Sequence, residues 1–349
     1  MNDHPPTPPS ESGSEQRVET TQRPNRATTS DPSRESAPWS VRWSDRVEAP
    51  LGILPGQDVA GPGRGPESRD TSALGNLRSE RRGRRVPQTE LARIAQSLSD
   101  RDRAILQSLA DYGLLQTGHL RQLHFTDHAT TEAAASICRR TLRRLSQPRL
   151  VEAIEHRVGG IRAGSDAIVW RLGPAGDRLL RAGDPDAPRS RRREPSLRFL
   201  QHRLMVADVA CILTTTAPTD GFELVRVDPE PASWRTYTGV HGARETLKPD
   251  LYAITAAGEY EDHWFIEVDR GTESIPTLLK QCRAYQTYHR SGREQSTVGI
   301  FPRILWLLPD THRRDRLRTA IAAADGIDAD LHRTHTYTDL LAVITGGAT

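Results

Sequence analysis

Between residues 87 and 183 apolar side chains return every three to four positions, whereas beyond residue 220 they gather in short continuous or alternating runs. The first pattern predicts helices packed by one face and the second predicts strands. Pro87 followed by Leu91, Ile94, Ala95 and Leu98 reads as a short helix. Ser99 is placed to cap a second helix, whose apolar face is Ala104, Ile105, Leu106 and Leu109 and which ends at Gly113. Thr117 is placed to cap a third with Leu120, Leu123 and Phe125, and Thr131 to cap a fourth that runs to about Ser146 over Ala134, Ile137, Thr141, Leu142 and Leu145. Two apolar runs, 150–158 and 167–172, read as strands joined by a connection containing Gly159, Gly160 and Gly164, and Gly173-Pro174 opens a further helix.

The turn-rich stretch around Asp184–Pro188 and the run Arg191, Arg192, Arg193 mark a boundary. A long apolar-faced helix follows from Ser196 to about Thr214, then a strand beginning at Phe222. The strands Asp250–Ile254 and His263–Asp269 flank a turn containing Gly258, a helix spans about Ser274–Tyr288, and Val298–Leu308 reads as a buried strand. A helix over His312–Ala324 and a short strand over Thr334–Thr338 complete the pattern. Helix, three strands, helix and strand make a compact α/β (or α+β) core.

Residues 1–86 show no such periodicity. They are dominated by Pro, Ser, Gly, Thr, Arg and Glu, a composition that buries too little apolar surface to offset ordering entropy and predicts a disordered tail. Within it, Trp39, Val41 and Trp43 form a partner-binding or merely sticky patch, and the run Arg81, Arg82, Arg84, Arg85 either holds phosphates or keeps the linker solvated. The expected organisation is multi-domain: a tail over 1–86, a helical domain over 87–184 and a mixed domain over 196–345. No run is long and apolar enough for a membrane helix, and no secretion signal is present, so a cytoplasmic protein is expected. Cys138, Cys211 and Cys282 lack zinc-cluster or disulfide-framework spacing.

Charge divides the chain more sharply than its net value of +3 implies. Residues 91–200 carry 19 Arg and Lys against 12 Asp and Glu, while residues 201–349 carry 16 against 20. A basic block favours a polyanionic partner. Within it, the helical domain has the element order of a winged helix-turn-helix, with Arg139, Arg140, Arg143 and Arg144 on the helix that enters the major groove in such modules. Arg157 and Arg162 fall in the wing between the strands. Double-stranded DNA is the expected partner, and a plain solvated helix face is the alternative for the arginines.

In the acidic block, strand alternation sets Glu267 and Asp269 on one face, and the hairpin brings Asp250 towards them. Three carboxylates together repel unless a cation neutralises them, and hard oxygen donors with open positions suit Mg2+ or Mn2+. Such an ion acidifies its bound water and stabilises charge on a phosphoryl group. Gln281 and Tyr285, four apart, share a face of the next helix. His202 and Asp208 lie about 120° apart on theirs, so His202 reads as a packed side chain. No Walker-type loop is present, and Tyr285 and Tyr288 lack the His-x-His cluster that would accompany a tyrosine nucleophile.

Pro249-Asp250 and Glu267, in this element order, resemble the PD-(D/E)XK nuclease superfamily, and Gln281 with Tyr285 resembles the QxxxY element of its exonuclease-like branch. The resemblance implies a restriction-endonuclease-like domain and a metal-dependent phosphodiesterase. Its catalytic set would be Asp250, Glu267, Asp269, Lys280, Gln281 and Tyr285, with the metal on Asp250 and Glu267 and Asp208 as an outer ligand. The chain departs from the pattern at Asp269, where the superfamily normally carries Lys. Lys280 could supply a migrated ammonium, and both an active and a retired site stay open.

Over a longer span, Leu98–Leu106, Arg198–Asp208, Lys248–Tyr252, Phe265–Ser274 and Gln281–Tyr285 resemble the replication-relaxation family of actinobacterial plasmids and mobile elements. In that family Glu-x-Asp-Arg-Gly-Thr-Glu appears as the usual form. The resemblance implies a DNA-binding protein of plasmid replication, with replication proteins as further partners. It acts either as a nickase or nuclease or as a non-catalytic regulator whose nuclease-like domain is degenerate.

Overall fold

The computed structural model describes residues 40–42, 86–154, 166–183, 195–216, 222–239, 242–257 and 259–346. The remaining tail, the connection carrying Arg157 and Arg162, and the run Arg191, Arg192, Arg193 lie outside the described residues.

The helices of the first half form where their caps and apolar spacing place them. They are α1 (Gln88–Ser97), α2 (Asp100–Tyr112), α3 (Thr117–His124) and α4 (Thr131–Ser146). Ser99 caps α2 by accepting from the Asp102 N–H, while the Asp102 carboxylate accepts from the Ser99 N–H. Thr117 does not cap α3. Its hydroxyl accepts the Trp170 indole N–H at 2.9 Å and donates to the Ile168 carbonyl, tying α3 to a strand. For α4 the cap is Thr130 rather than Thr131.

The strands here are β2 (Leu115–Gln116), β3 (Val151–Ile154) and β4 (Val169–Leu172), followed by helix α5 (Pro174–Gly183). They form an antiparallel sheet in the order β2-β4-β3. The two-residue β2 has no signal in the sequence, because two residues show no period. Leu106, Leu109, Leu120, Leu142, Leu145 and Val151 centre one core beneath these helices.

The second half is a mixed sheet. Helix α6 (Leu197–Thr215) is capped by Ser196 and leads into β5 (Phe222–Pro229). A hairpin of β6 (Arg235–Thr238) and β7 (Arg244–Leu247) precedes the long pair β8 (Leu251–Ala257) and β9 (Tyr260–Val268). Helix α7 (Ile275–Arg290), the short α8 (Arg293–Val298), β10 (Arg303–Leu308), α9 (Thr311–Ala322), β11 (His332–Thr336) and α10 (Leu340–Ile344) follow. The sheet order is β11-β10-β9-β8-β5, with β1 (Ser40–Arg42) paired to the start of β9. β8 is antiparallel to both neighbours, while β10 is parallel to β9 and β11.

Two differences from the sequence pattern have physical causes. β8 and β9 extend through residues that read as a turn, pairing from Thr255 opposite Asp262 to Ala257 opposite Tyr260. The Thr255 hydroxyl accepts the Trp264 indole N–H, and the Tyr252 hydroxyl bonds His263. The run 298–308 is not one strand, because Gly299, at φ 91°, ends α8 before β10 begins.

Helices cover both faces of this sheet. Val206, Val209, Ala210 and Leu213 of α6 pack on Leu251, Ala253, Trp264 and Ile266. Leu278, Cys282, Tyr285 and Tyr288 of α7 pack on Tyr252, Phe265 and Trp306. The alternation along β9 therefore sends Trp264, Ile266 and Val268 to one layer and Phe265 to the other. Helix α6 also meets the N-terminal half: Leu200 and Leu204 bury against Leu114, Ile154 and Val169. Arg203, almost fully buried, donates to the Tyr112 carbonyl at 2.8 Å and to Glu230 at 2.7 Å. Replacing Arg203 with Met should lower stability by about 2 kcal/mol, since it removes charge-assisted bonds from a buried position. A lower urea midpoint checks this, and an unchanged midpoint would refute the anchoring role.

Candidate active site

Asp250 immediately precedes β8. Leu251 lies opposite Ile266, so the register carried one residue further sets Asp250 opposite Glu267. The buried Ser233 hydroxyl holds the preceding Pro249 carbonyl at 2.6 Å. The Asp250 carboxylate is itself fixed at both oxygens: Oδ2 accepts the Val268 N–H at 2.8 Å, and Oδ1 pairs with His202 Nε2 at 2.9 Å. Glu267 shares the face of Phe265 and meets α7, where the buried Tyr285 hydroxyl donates to its Oε1 at 2.5 Å.

These contacts set the electrostatics. Burial pushes the Glu267 carboxyl well above the usual carboxylate range, and the nearby charge of Asp250 pushes it further. The Tyr285 hydrogen bond opposes the shift without cancelling it, and Glu230 and Glu273 add more negative charge. For His202, burial alone would lower the pKa, but the hydrogen bond and charge of Asp250 outweigh it and raise the value. The Tyr285 phenol is pushed up by burial and by Glu267.

Asp269 belongs to a separate arrangement. Arg313 of α9 grips it with two nitrogens, Nε in close contact with Oδ2 and Nη2 at 2.9 Å from Oδ1. Arg313 Nη2 also donates to the Glu273 carbonyl at 2.7 Å, the Gly271 N–H donates to Asp269 Oδ1, and the Tyr337 hydroxyl donates to the Asp269 carbonyl. The third carboxylate is thus neutralised by an arginine and clamps the turn that leads into α7.

The other expected residues are dispersed. Asp208, 60% exposed, faces the N-terminal half and pairs at 2.7 Å with Nε2 of the buried His119. Lys280 is exposed on α7, about 140° around the helix from Tyr285. Gln281 lies on the Tyr285 side, with its amide at 3.5 Å from Glu273. Arg139, Arg140, Arg143 and Arg144 are all exposed on α4, and Arg144 pairs with the buried Asp102 at 2.5 Å. Among the described residues neither the Arg140 nor the Arg143 side chain has a protein partner.

Sequence reasoning missed His202, which is 48 residues from Asp250, and Arg313, which is 44 from Asp269; no spacing rule links residues so far apart. Glu230 was likewise not legible as a neighbour of Glu267, whereas Glu273, read either as lying near the carboxylates or as a plain first-turn acid, does act on it. Among the described residues no group of three or more His, Cys, Asp or Glu side chains is arranged to hold a metal ion, and no helix is long and apolar enough to cross a membrane.

The family model described as replication-relaxation matches residues 106–304. The chain belongs to the replication-relaxation family. No curated protein and no solved structure matches it. The matched stretch contains α4, the Asp250–Glu267 pair, His202 and Tyr285, and stops before Arg313. Membership in the replication-relaxation family points to a role in the replication of plasmids or mobile elements.

Two substitutions separate the roles of the acids. An ionised Glu267 costs stability above the ordinary glutamate range and costs nothing below it, since the folded form keeps its proton longer than the unfolded chain. Glu267→Gln should therefore raise the melting temperature by about 2–4 °C at neutral pH and leave it unchanged near pH 4. Arg313→Ala, which leaves Asp269 buried without its partner, should lower stability by about 3–5 kcal/mol. Thermal and urea denaturation read both, and a destabilised Glu267→Gln at neutral pH would contradict the burial argument.

Proposed function

We propose that this replication-relaxation protein binds duplex DNA through its N-terminal half and cuts a phosphodiester at Asp250 and Glu267 with Mg2+ or Mn2+. The observation that carries the reading is the juxtaposition of these two acids at one end of a sheet flanked by α6 and α7. Helix, three antiparallel strands, helix and parallel strand is the order expected of a PD-(D/E)XK core. The helices α2, α3 and α4 with the sheet β2-β4-β3 have the order of a winged helix, in which α4 would present Arg139, Arg140, Arg143 and Arg144 to a groove.

Two carboxylates would suit the sparse protein coordination that Mg2+ accepts, and the unfavourable charge on Glu267 is what a cation would relieve. Bound there, the ion would supply an acidified water and neutralise charge on the phosphoryl group. The chain's own residues prepare the site. The Val268 N–H and His202 fix Asp250, Tyr285 orients Glu267, and the Asp269–Arg313 clamp holds the approach to α7.

A second reading, a non-catalytic replication regulator, is favoured by one observation: Asp269 stands where a lysine would be and is bound to Arg313, while the charges acting most strongly on Glu267 are all negative.

Full-length protein mixed with supercoiled plasmid and Mg2+ or Mn2+ should give nicked or linear product that disappears in Asp250→Asn and Glu267→Gln. Plasmid left intact across both metals and several DNA forms would favour the regulator. Independently, Arg140→Ala with Arg143→Ala should flatten the log–log salt dependence of duplex binding by about two units, one per lost phosphate contact. An unchanged slope would remove α4 from the interface.

A further inference from the structure

The acid pair is bordered on two sides by aromatic rings set among cations. On the first side, Leu197 and Phe199 at the start of α6 stand 55% and 51% exposed. Phe199 precedes His202 by three residues, so both lie on one face of the helix, and His202 touches Asp250. Arg198, between the two apolar residues, has its guanidinium 3.7 Å from Glu273. Arg270 reaches back from the end of β9 to Gln201 Oε1 at 2.5 Å and to the Arg198 carbonyl at 3.1 Å. On the second side, the exposed Lys248, two residues before Asp250, holds its ammonium 4.4 Å from the centre of the Trp234 ring. Trp234 in turn donates to Glu230 at 3.1 Å. Glu230 and Glu273 both act on Glu267, so both borders meet the same carboxylates.

The chemistry of these borders selects a ligand. A duplex offers a phosphate surface and keeps its base faces stacked inside, so it gives Phe199 nothing flat to cover. An unpaired strand offers both phosphates and open base faces, and aromatic rings interleaved with cations are how sequence-tolerant single-strand sites are built. We propose that the carboxylate end of the sheet takes a single strand of nucleic acid, with an unpaired base on Phe199 and phosphates held by Arg198, Arg270 and Lys248. This rests on the nucleic-acid reading of the acid pair given above. Combined with duplex held by α4, it makes the preferred substrate a junction between paired and unpaired DNA.

The test uses full-length protein carrying Glu267→Gln, which cannot cut and lacks the repelling charge. Fluorescence anisotropy is read with an unpaired oligonucleotide of about 16 nucleotides and with its duplex. Phe199→Ala should weaken binding of the unpaired strand about ten-fold and of the duplex by less than about two-fold, while Phe199→Trp keeps both. An oligonucleotide with abasic positions should bind the parent protein as weakly as the normal strand binds Phe199→Ala. Unpaired-strand binding unaffected by Phe199→Ala, or lost equally with duplex binding, would overturn the proposal. So would an altered oligomeric state in light scattering at unchanged strand affinity, which would make the surface a protein contact. The duplex reading fails separately, if Arg140→Ala with Arg143→Ala loses no duplex affinity.

Discussion

Two carboxyl groups fixed side by side at the end of a sheet cannot both stay ionised without a counter-charge, and much of this molecule is arranged around that constraint. Asp250 accepts the Val268 N–H on one oxygen and pairs with His202 on the other. Burial and the charge of Asp250 raise the Glu267 pKa, and the Tyr285 hydroxyl, donating to it, opposes the rise. The groups that hold this pair come from α6, β9 and α7, the elements whose packing on the sheet forms the core.

Asp269 is a third carboxylate beside the pair, and it is matched within the chain. It follows Glu267 by two residues and faces the same layer, as strand alternation requires, but its charge is consumed by Arg313. The same arginine binds the Glu273 carbonyl, so the end of β9, the turn at Gly271 and the start of α7 form one braced unit. A lysine at 269 would face the Arg313 guanidinium at close range. Asp269→Lys would therefore introduce repulsion and break the brace.

Local periodicity made most of the fold legible in advance. The helices from Gln88 to Ser146, the long α6, the β8–β9 pair and α7 were all visible as apolar spacing plus capping residues. The acid pair was visible because Asp250 and Glu267 terminate adjacent strands of one hairpin. Contacts that depend on how helices dock across the sheet were not visible. His202 read as a packed side chain because its partner is reached through tertiary packing, and the pairing of Asp208 with His119, 89 residues away, had no signal in the sequence. The two-residue β2 and the break at Gly299 fell below the length at which a period can be recognised.

The angular offset between His202 and Asp208, which argues against their sharing one ion, has a mechanical consequence. It lets a single helix face two neighbours, His202 turned to the acids and Asp208 turned to His119 of the N-terminal half. Six residues separate them, a rise of about 9 Å along a hydrogen-bonded rod. That rise does not stretch, so α6 works as a ruler: the spacing between the two halves of the protein is written into the pitch of one helix. Anything gripped by both halves at once is measured against it.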